Sequence, residues 1–249
     1  MIEYKNLKKS FGDLHVLRGV DLVVNEGETL ALLGPSGTGK SVLLKCAIGL
    51  LEPDSGDIIV DETSIAHATR EELRRVRRNL GYVFQNAALF DSLTVAENLQ
   101  LAQVDADSTA TLQDLRADAI ELVRRVNLGP EVLEKYPAEL SGGMRKRVGV
   151  ARAIASRPRY LLWDEPTTGL DPVNADNIDE LIFELGRSLG VTSIVVTHDL
   201  DTAFDVGDRI ALLFEGCIRA NAPPDEILRS EDPVVQKFVR RTRIEGAAV

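Results

Sequence analysis

The feature that most restricts the fold is a glycine-rich segment, residues 34–41, which reads Gly-Pro-Ser-Gly-Thr-Gly-Lys-Ser. It directly follows the apolar run Thr29–Leu33, and the apolar residues after Lys40 recur with helical spacing. This order predicts a buried strand, a loop and a helix, in which glycine N–H groups and the helix N-terminus converge on phosphate oxygens. A flexible strand-to-helix turn is the alternative. We interpret the segment as a nucleotide site, with Lys40 on the β- and γ-phosphates and the Ser41 hydroxyl on Mg²⁺.

Composition limits the other classes of function. The chain has 249 residues, 44% of them hydrophobic, which suffices for one large α/β domain or a core with a subdomain. Its formal net charge of −10 and sequence pI of about 4.9 argue against a nucleic-acid partner, because phosphate contacts require clustered lysine and arginine. The basic run Arg70–Arg78 is most simply a solvated helix face.

Neither a membrane span nor a leader is predicted. No segment approaches the roughly 20 apolar residues of a spanning helix, and the first residues lack an apolar core. We therefore expect a cytoplasmic protein. Cys46 and Cys217 are far apart in sequence, which indicates two reduced thiols.

The hydrophobic pattern divides the chain into regions. Residues 1–28 alternate polar and apolar around turns, which predicts an antiparallel β subdomain containing Phe11. Residues 86–157 are mainly helical in pattern, with an acidic stretch at 105–111 that we expect to be a mobile exposed loop. Residues 209–220 resemble a hairpin, and two short helices follow. The predicted organisation is a core of residues 1–85 and 158–222, a helical subdomain at about 86–157 and C-terminal helices at about 223–249.

Two further strands end in polar residues. Residues 160–163 are apolar and are followed by Asp164 and Glu165, as expected of a central parallel strand that opens on a site. Asp171 and Pro172 have the pattern of an N-cap and first residue of a helix. The apolar residues 193–197 precede His198, which taken alone is more simply a hydrogen-bonding residue at a strand end.

A second anion-binding helix start is predicted at residues 140–143. There Ser141, Gly142 and Gly143 precede a helix, with a plain glycine hinge as the alternative. One strand-loop-helix unit already surrounds a triphosphate on one side. The simplest explanation for a second anion-binding helix start is a two-fold dimer in which each copy completes the nucleotide site of the other.

Taken together, these motifs resemble the ATP-binding subunits of ABC transporters over nearly the whole chain. The order is Walker A at 34–41, Gln85 in the Q-loop, the signature at 140–143, Walker B ending at Asp164, the D-loop with Asp171, and the switch His198. The resemblance implies an α/β fold of the P-loop ABC nucleotide-binding type, with an antiparallel β subdomain and a helical subdomain. It also implies an ATPase that uses ATP and Mg²⁺.

The resemblance implies residue roles as well. Glu165 would activate water with His198 and Gln85 beside it, Asp164 would hold Mg²⁺ with Ser41 and Gln85, and Phe11 would stack on adenine. Ser141, Gly142 and Gly143 would bind the ATP of the opposite protomer, with Asp171 in the D-loop between the sites. The residues expected to line the nucleotide are Phe11, Gly34, Pro35, Ser36, Gly37, Thr38, Gly39, Lys40, Ser41 and Val42.

Three stretches are similar to the ATPases of bacterial Mla- and Mce-type lipid transporters, namely residues 85–95, 140–148 and 232–239. The similarity implies lipid, most simply phospholipid, as substrate, with Mce-domain and accessory proteins as candidate partners. A coupling surface must lie between Gln85 and the helical insertion that carries Ser141, so we expect the permease to dock in a groove lined by Ala88, Leu89 and Phe90. The alternative is that Leu89 and Phe90 fill the core of the helical subdomain. It implies a peripheral position on the cytoplasmic face of the inner membrane. Transport of another solute, such as amino acids, and a soluble ABC ATPase without a permease are the alternatives.

Overall fold

Two β-sheets and a group of helices make up the computed structural model, which describes residues 1–103 and 112–245. The strands are β1 (Ile2–Phe11), β2 (Leu14–Val24), β3 (Thr29–Leu33), β4 (Ser55–Val60), β5 (Thr63–Ser64), β6 (Leu80–Val83), β7 (Tyr160–Asp164), β8 (Thr192–Thr197), β9 (Arg209–Phe214) and β10 (Cys217–Ala222). The helices are α1 (Lys40–Ala47), α2 (Arg70–Arg78), α3 (Val95–Gln103), α4 (Leu112–Arg125), α5 (Gly142–Ile154), α6 (Pro172–Leu189), α7 (Leu200–Val206), α8 (Pro224–Arg229) and α9 (Pro233–Glu245), and 3₁₀ turns cover Pro130–Glu134 and Pro137–Glu139.

The larger sheet has the strand order β10-β9-β3-β8-β7-β6 and is parallel except for the β9–β10 hairpin. Every residue of β3, β7 and β8 is buried, as continuous apolar runs predict for strands covered on both faces. The parallel order brings the carboxyl ends of β3, β8, β7 and β6 to one edge.

The smaller sheet is antiparallel, in the order β2-β1-β4-β5, which confirms the predicted β subdomain and adds two strands from beyond residue 28. Its apolar face shares one buried cluster with α1 and one face of the larger sheet, including Tyr4, Leu43 and Leu162. The N-terminal half of the chain thus covers the helix that follows the glycine loop.

Helices α3, α4 and α5 and the 3₁₀ turns pack with the other face of the sheet and with α6 in a second cluster, which includes Leu99, Val123 and Trp163. These helices lie within the predicted helical region of about residues 86–157, where α4 begins at Leu112 and α5 at Gly142. The acidic stretch at 105–111 lies outside the described residues, so its expected mobility is a prediction still.

One helix, α7, is absent from the sequence expectations. It begins after the N-cap Asp199 and packs Leu200 and Ala203 into a third cluster with β3, β9 and α9. Among the residues that the structure describes, no helix is both long enough and apolar enough to cross a membrane.

Candidate functional site

The predicted site residues gather at the carboxyl edge of the parallel sheet. Leu33 pairs with Thr197, and Asp164 pairs with Val196, so Gly34, Glu165 and His198 begin on neighbouring strand ends. Val83 pairs with Trp163, which carries the chain to Gln85 on the same edge. The strand order therefore places four separate segments at one edge of the sheet, those that carry the glycine loop, the acidic pair, the histidine and the glutamine.

The loop between β3 and α1 requires glycine at particular points. Gly39 has a φ of 102°, and a Cβ there would lie 2.6 Å from Cγ1 of Val16. A Cβ on Gly34 would lie 2.4 Å from the carbonyl oxygen of Leu213. Gly37, with a φ of 80°, faces open space, so its need for glycine is conformational. The loop forms a cradle that side chains would fill or strain.

Lys40 is buried against this loop, with a side chain only 3% exposed. Its Nζ donates to the carbonyl oxygens of Gly34, at 2.8 Å, and Pro35, at 3.0 Å, and lies 3.6 Å from Oε1 of Glu165. Burial lowers the pKa of this ammonium, and the neighbouring carboxylate opposes the shift. The lysine is held between the loop and the acidic pair.

A set of oxygen donors lies beside it. The Ser41 hydroxyl donates to Oδ1 of Asp164 at 2.5 Å, and the Tyr82 hydroxyl donates to Oδ2 at 2.8 Å. A hydroxyl and a carboxylate are hard oxygen ligands, which suit Mg²⁺ held by one or two side chains together with phosphate. Among the residues that the structure describes, no group of three or more His, Cys, Asp or Glu side chains could by itself hold a metal ion. The donor set therefore fits a Mg²⁺ ion that depends on bound nucleotide for its other ligands.

Glu165 is the most constrained carboxylate of the site. Its backbone is left-handed, with a φ of 49°, and its Oε2 accepts from Thr168 Oγ1 at 2.9 Å and contacts Nδ1 of His198 at 3.0 Å. Burial would raise the pKa of this carboxyl, but the Thr168 hydrogen bond, His198 and Lys40 together lower it. An ionised carboxylate in a defined orientation is suited to accept a proton from water.

The remaining predicted residues lie around this centre. Asp171 is the N-cap of α6 and accepts from the Asn174 N–H at 3.1 Å. Gln85 is exposed in the turn after β6, and Val42 packs against the cluster beneath the loop. Phe11 is 47% exposed at the end of β1, and two residues beyond its partner Leu14 the chain reaches Val16, which abuts Gly39.

The signature residues stand apart from this centre. Ser141 is the exposed N-cap of α5, and its Oγ accepts from the Met144 N–H at 3.2 Å. Gly142 has open space around its Cβ position, whereas a Cβ on Gly143 would meet Oδ1 of Asn174 at 2.8 Å. Within the part of the chain that the structure describes, no hydrogen bond or ion pair joins residues 141–143 to residues 34–41.

Three residues that contact the acidic pair or its loop were missed from sequence: Tyr82, Thr168 and Lys146. Tyr82 carried a signal, since a tyrosine inside a buried strand requires a partner for its hydroxyl. Lys146 shares the buried face of α5 with Gly143, Val150 and Ala153, where a charge is out of place. Nothing in the sequence around Thr168 distinguishes it from its neighbour Thr167.

The fold and this site define a P-loop ATPase cassette. The chain belongs to the ABC transporter family, whose sequence model matches residues 17–168. It is an ATP-hydrolysing subunit of that family. The predicted fold class is confirmed.

Relatives span the chain. It is 39% identical over 245 residues to the probable ribonucleotide transport ATP-binding protein mkl of Mycobacterium leprae (strain TN), covering 98% of this chain and 70% of mkl. It is 36% identical over 226 residues to the glutamine transport ATP-binding protein GlnQ of Geobacillus stearothermophilus, which covers 91% of this chain and 92% of GlnQ. The ATP-binding cassette MJ0796, solved as a dimer in a post-hydrolysis state with ADP and Pi, matches with a TM-score of 0.82 and 33% identity over 90% of this chain and 98% of MJ0796.

Proposed function

We propose that this chain is the ATPase motor of a bacterial Mla/Mce-type lipid transporter, acting from the cytoplasmic face of the inner membrane. The observation that supports the motor chemistry is the Glu165 carboxylate, which is bonded to Thr168 and His198 and lies 3.6 Å from Lys40. The lipid assignment is supported by the likeness of residues 85–95, 140–148 and 232–239 to that group of ATPases.

The roles of the residues follow from their chemistry. Lys40 and the loop 34–41 would bind the phosphates, and Ser41 and Asp164 would hold Mg²⁺, with Gln85 as a further candidate ligand. When bound, Mg²⁺ would neutralise charge on the phosphates. Glu165 takes the proton of the attacking water, and His198 contacts the γ-phosphate.

The full site requires a second copy. Ser141, Gly142 and Gly143 make no hydrogen bond to the loop 34–41 of their own chain. Ser141 and Gly142 are exposed at the start of α5 and Gly143 is buried behind them, and a helix start of this kind is suited to a phosphate. In a two-fold dimer they would bind the γ-phosphate of the partner's ATP, with Asp171 between the sites and Phe11 stacking on adenine. The dimer of the similar cassette MJ0796 supports this arrangement.

An integral membrane permease completes the assembly, with Mce-domain and accessory proteins as further candidates. We place its docking surface beside Gln85, where Ala88 is exposed and Phe90 is 56% exposed. Leu89 instead packs against the helical cluster, so only two of the three sequence candidates present themselves to a partner.

Transport of another solute is the second candidate function. The similarity to GlnQ, whose name assigns it to glutamine transport, favours an amino acid. Purification of the tagged chain from its native membrane, followed by identification of the associated proteins and lipids, separates the two. A permease with bound phospholipid supports the lipid assignment, whereas a permease with an amino-acid-binding protein overturns it.

The catalytic assignment has its own test in Glu165→Gln. The amide preserves the shape and removes the base, so we expect ATP binding to persist and hydrolysis to fall by roughly 10²- to 10⁴-fold. Equilibrium binding of labelled ATP and steady-state phosphate release measure the two quantities. Glu184→Gln, at an exposed glutamate of α6, is the control. Hydrolysis by Glu165→Gln at a near wild-type rate would overturn the assignment.

A further inference from the structure

Lys146 is a buried charge with no role in the site described so far. Together with Lys40 it is one of two lysines that the described part of the chain buries, at 8% exposed. It lies in the second turn of α5, among apolar neighbours such as Val150 on the same helix face. A buried ammonium is costly unless it is hydrogen-bonded, so its contacts indicate what it is for.

Both contacts are backbone carbonyls of the loop that follows Glu165. Nζ of Lys146 donates to the carbonyl oxygen of Pro166 at 2.8 Å and to that of Thr168 at 3.0 Å. The two carbonyls flank Thr167, which is itself buried. The ammonium thus fixes the loop at two points from a different helix.

Thr168 connects this clamp to the carboxylate. The residue whose carbonyl Lys146 holds also donates its hydroxyl to Oε2 of Glu165 at 2.9 Å. Glu165 sits in a left-handed backbone conformation, which a surrounding structure must maintain. The Lys146 ammonium is thus linked to the Glu165 carboxylate through Thr168 by two consecutive hydrogen bonds.

The charge also acts on the carboxylate from a distance. Burial lowers the pKa of Lys146, and the negative charge of Glu165 opposes that shift. The same two influences act on Lys40, whose Nζ lies 3.6 Å from Oε1 of Glu165. Glu165 therefore interacts with two buried ammonium groups, one at the start of α1 and one on α5.

We propose that Lys146 is a positioning residue for hydrolysis, which holds the 166–168 loop so that Thr168 orients the Glu165 carboxylate toward the attacking water. This rests on the proposed role of Glu165 as the base. Both hydrogen bonds of Lys146 go to the loop after Glu165 and neither goes to residues 34–41, so we expect its loss to slow the chemical step more than it weakens ATP binding.

The test compares Lys146→Met, which keeps the length and removes the donor, with Arg147→Met. Arg147 is the next residue on α5, and it donates to the carbonyl oxygen of Asn127, away from the loop. We expect kcat for ATP hydrolysis to fall at least tenfold in Lys146→Met, with KM within about threefold of wild type. Arg147→Met should leave both within about twofold. If the Met variant does not fold, Lys146→Leu, which also removes the donor and suits the buried face of α5, carries the same test.

A double-mutant cycle with Thr168→Val separates positioning from a general structural role. If Lys146 acts through the Thr168 hydroxyl, the double variant is no slower than the slower single variant. Multiplication of the two losses would overturn the proposal, as would an unchanged kcat in Lys146→Met.

ATP-driven dimerisation supplies a measurement that does not depend on turnover. In a Glu165→Gln background, Lys146→Met should still dimerise with ATP, as followed by light scattering. Loss of the dimer in the double variant alone would overturn the proposal, because Lys146 would then act through Ser141 at the start of α5. The motor assignment fails separately, if Glu165→Gln alone keeps hydrolysing ATP.

Discussion

Asp179 of α6 carries a buried carboxyl group whose surroundings affect the stability of the fold. Its Oδ2 accepts from the Thr202 hydroxyl of α7 at 2.8 Å, whereas Oδ1 is buried without a hydrogen-bond partner. Burial is the main cause that raises its pKa, to about 7, the Thr202 hydrogen bond opposes it, and the charges of Asp205, Asp199 and Asp176 add to it. Below about pH 7 the folded protein therefore holds this carboxyl mainly in its neutral form.

The sign of the pH dependence follows from linkage. The pKa of Asp179 is higher in the folded chain than in the unfolded chain, so its effect is absent below about pH 4 and destabilises folding increasingly up to about pH 7. We expect Asp179→Asn to reduce the loss of unfolding free energy between those pH values by on the order of 1–3 kcal/mol, since one pKa unit corresponds to about 1.4 kcal/mol.

Urea unfolding at a series of pH values measures this difference. Asp13→Asn, at the exposed turn between β1 and β2, is the matched control, and its pH dependence should follow that of the wild type. An Asp179→Asn curve parallel to the wild-type curve from pH 4 to pH 8 would show that the carboxyl is already ionised at low pH in the folded chain.

At the scale of single elements, the segment that follows Gln85 in the Q-loop is hydrogen-bonded to α5, the helix that begins after Ser141. Ala87 and Ala88 both have positive φ, of 58° and 49°, and Arg152 of α5 donates to the carbonyl oxygens of both, at 3.1 Å and 2.5 Å. A Cβ on Gly149 of the same helix would approach Cβ of Ala87 to 3.0 Å. The segment after Gln85 thus depends on α5 for its strained conformation.

Removing this guanidinium should therefore cost stability. Arg152→Met leaves two carbonyl groups short of a charged donor, and we expect a loss of about 1–3 kcal/mol in the free energy of unfolding. Arg157→Met is the control, because that side chain is 85% exposed and its ion pair with Asp118 is 3.7 Å long, an arrangement worth little. Urea unfolding measures the free energy of unfolding of both variants. Equal losses would show that the Arg152 hydrogen bonds do not stabilise the segment after Gln85.

The elements differ in how far the sequence predicts them, for physical reasons. Strands β3 and β7 are buried on both faces, so their apolar runs and terminal polar residues suffice to predict both strand and site. Helix α7 was missed because three aspartates, at 199, 201 and 205, obscure its short apolar stripe. The Lys146 clamp could not be predicted, since its contacts arise only when α5 packs against the loop after β7.

At the scale of the whole molecule, shared sites predict an asymmetry in mixed dimers. Lys40→Ala damages the site that contains that lysine, and Ser141→Arg damages the opposite site. A dimer with both changes in one chain then has no intact site, whereas a dimer with one change in each chain keeps one. We expect ATPase activity only in the second dimer, measured on tandem-purified heterodimers. The reverse outcome would mean that each chain serves its own nucleotide.

Coupling to a permease makes a different demand on the same molecule, an exposed apolar surface that moves with the site. Ala88 meets the first condition because it is exposed. We expect it to meet the second, because it lies three residues after Gln85 in a loop that is hydrogen-bonded to α5. Its small side chain leaves room for a partner helix, and the adjacent Phe90 adds exposed apolar area.

Ala88→Glu tests this surface without new backbone strain, because glutamate and alanine have similar freedom at a positive φ. A carboxylate in an apolar contact costs a few kcal/mol when it stays unpaired, so we expect the variant to fold, to bind ATP and to lose copurification with its permease. Ala117→Glu, on the exposed side of α4, should copurify as the wild type does. Assembly and transport by Ala88→Glu at wild-type levels would move the docking surface away from the Q-loop, and with it the route by which hydrolysis at Glu165 reaches the membrane.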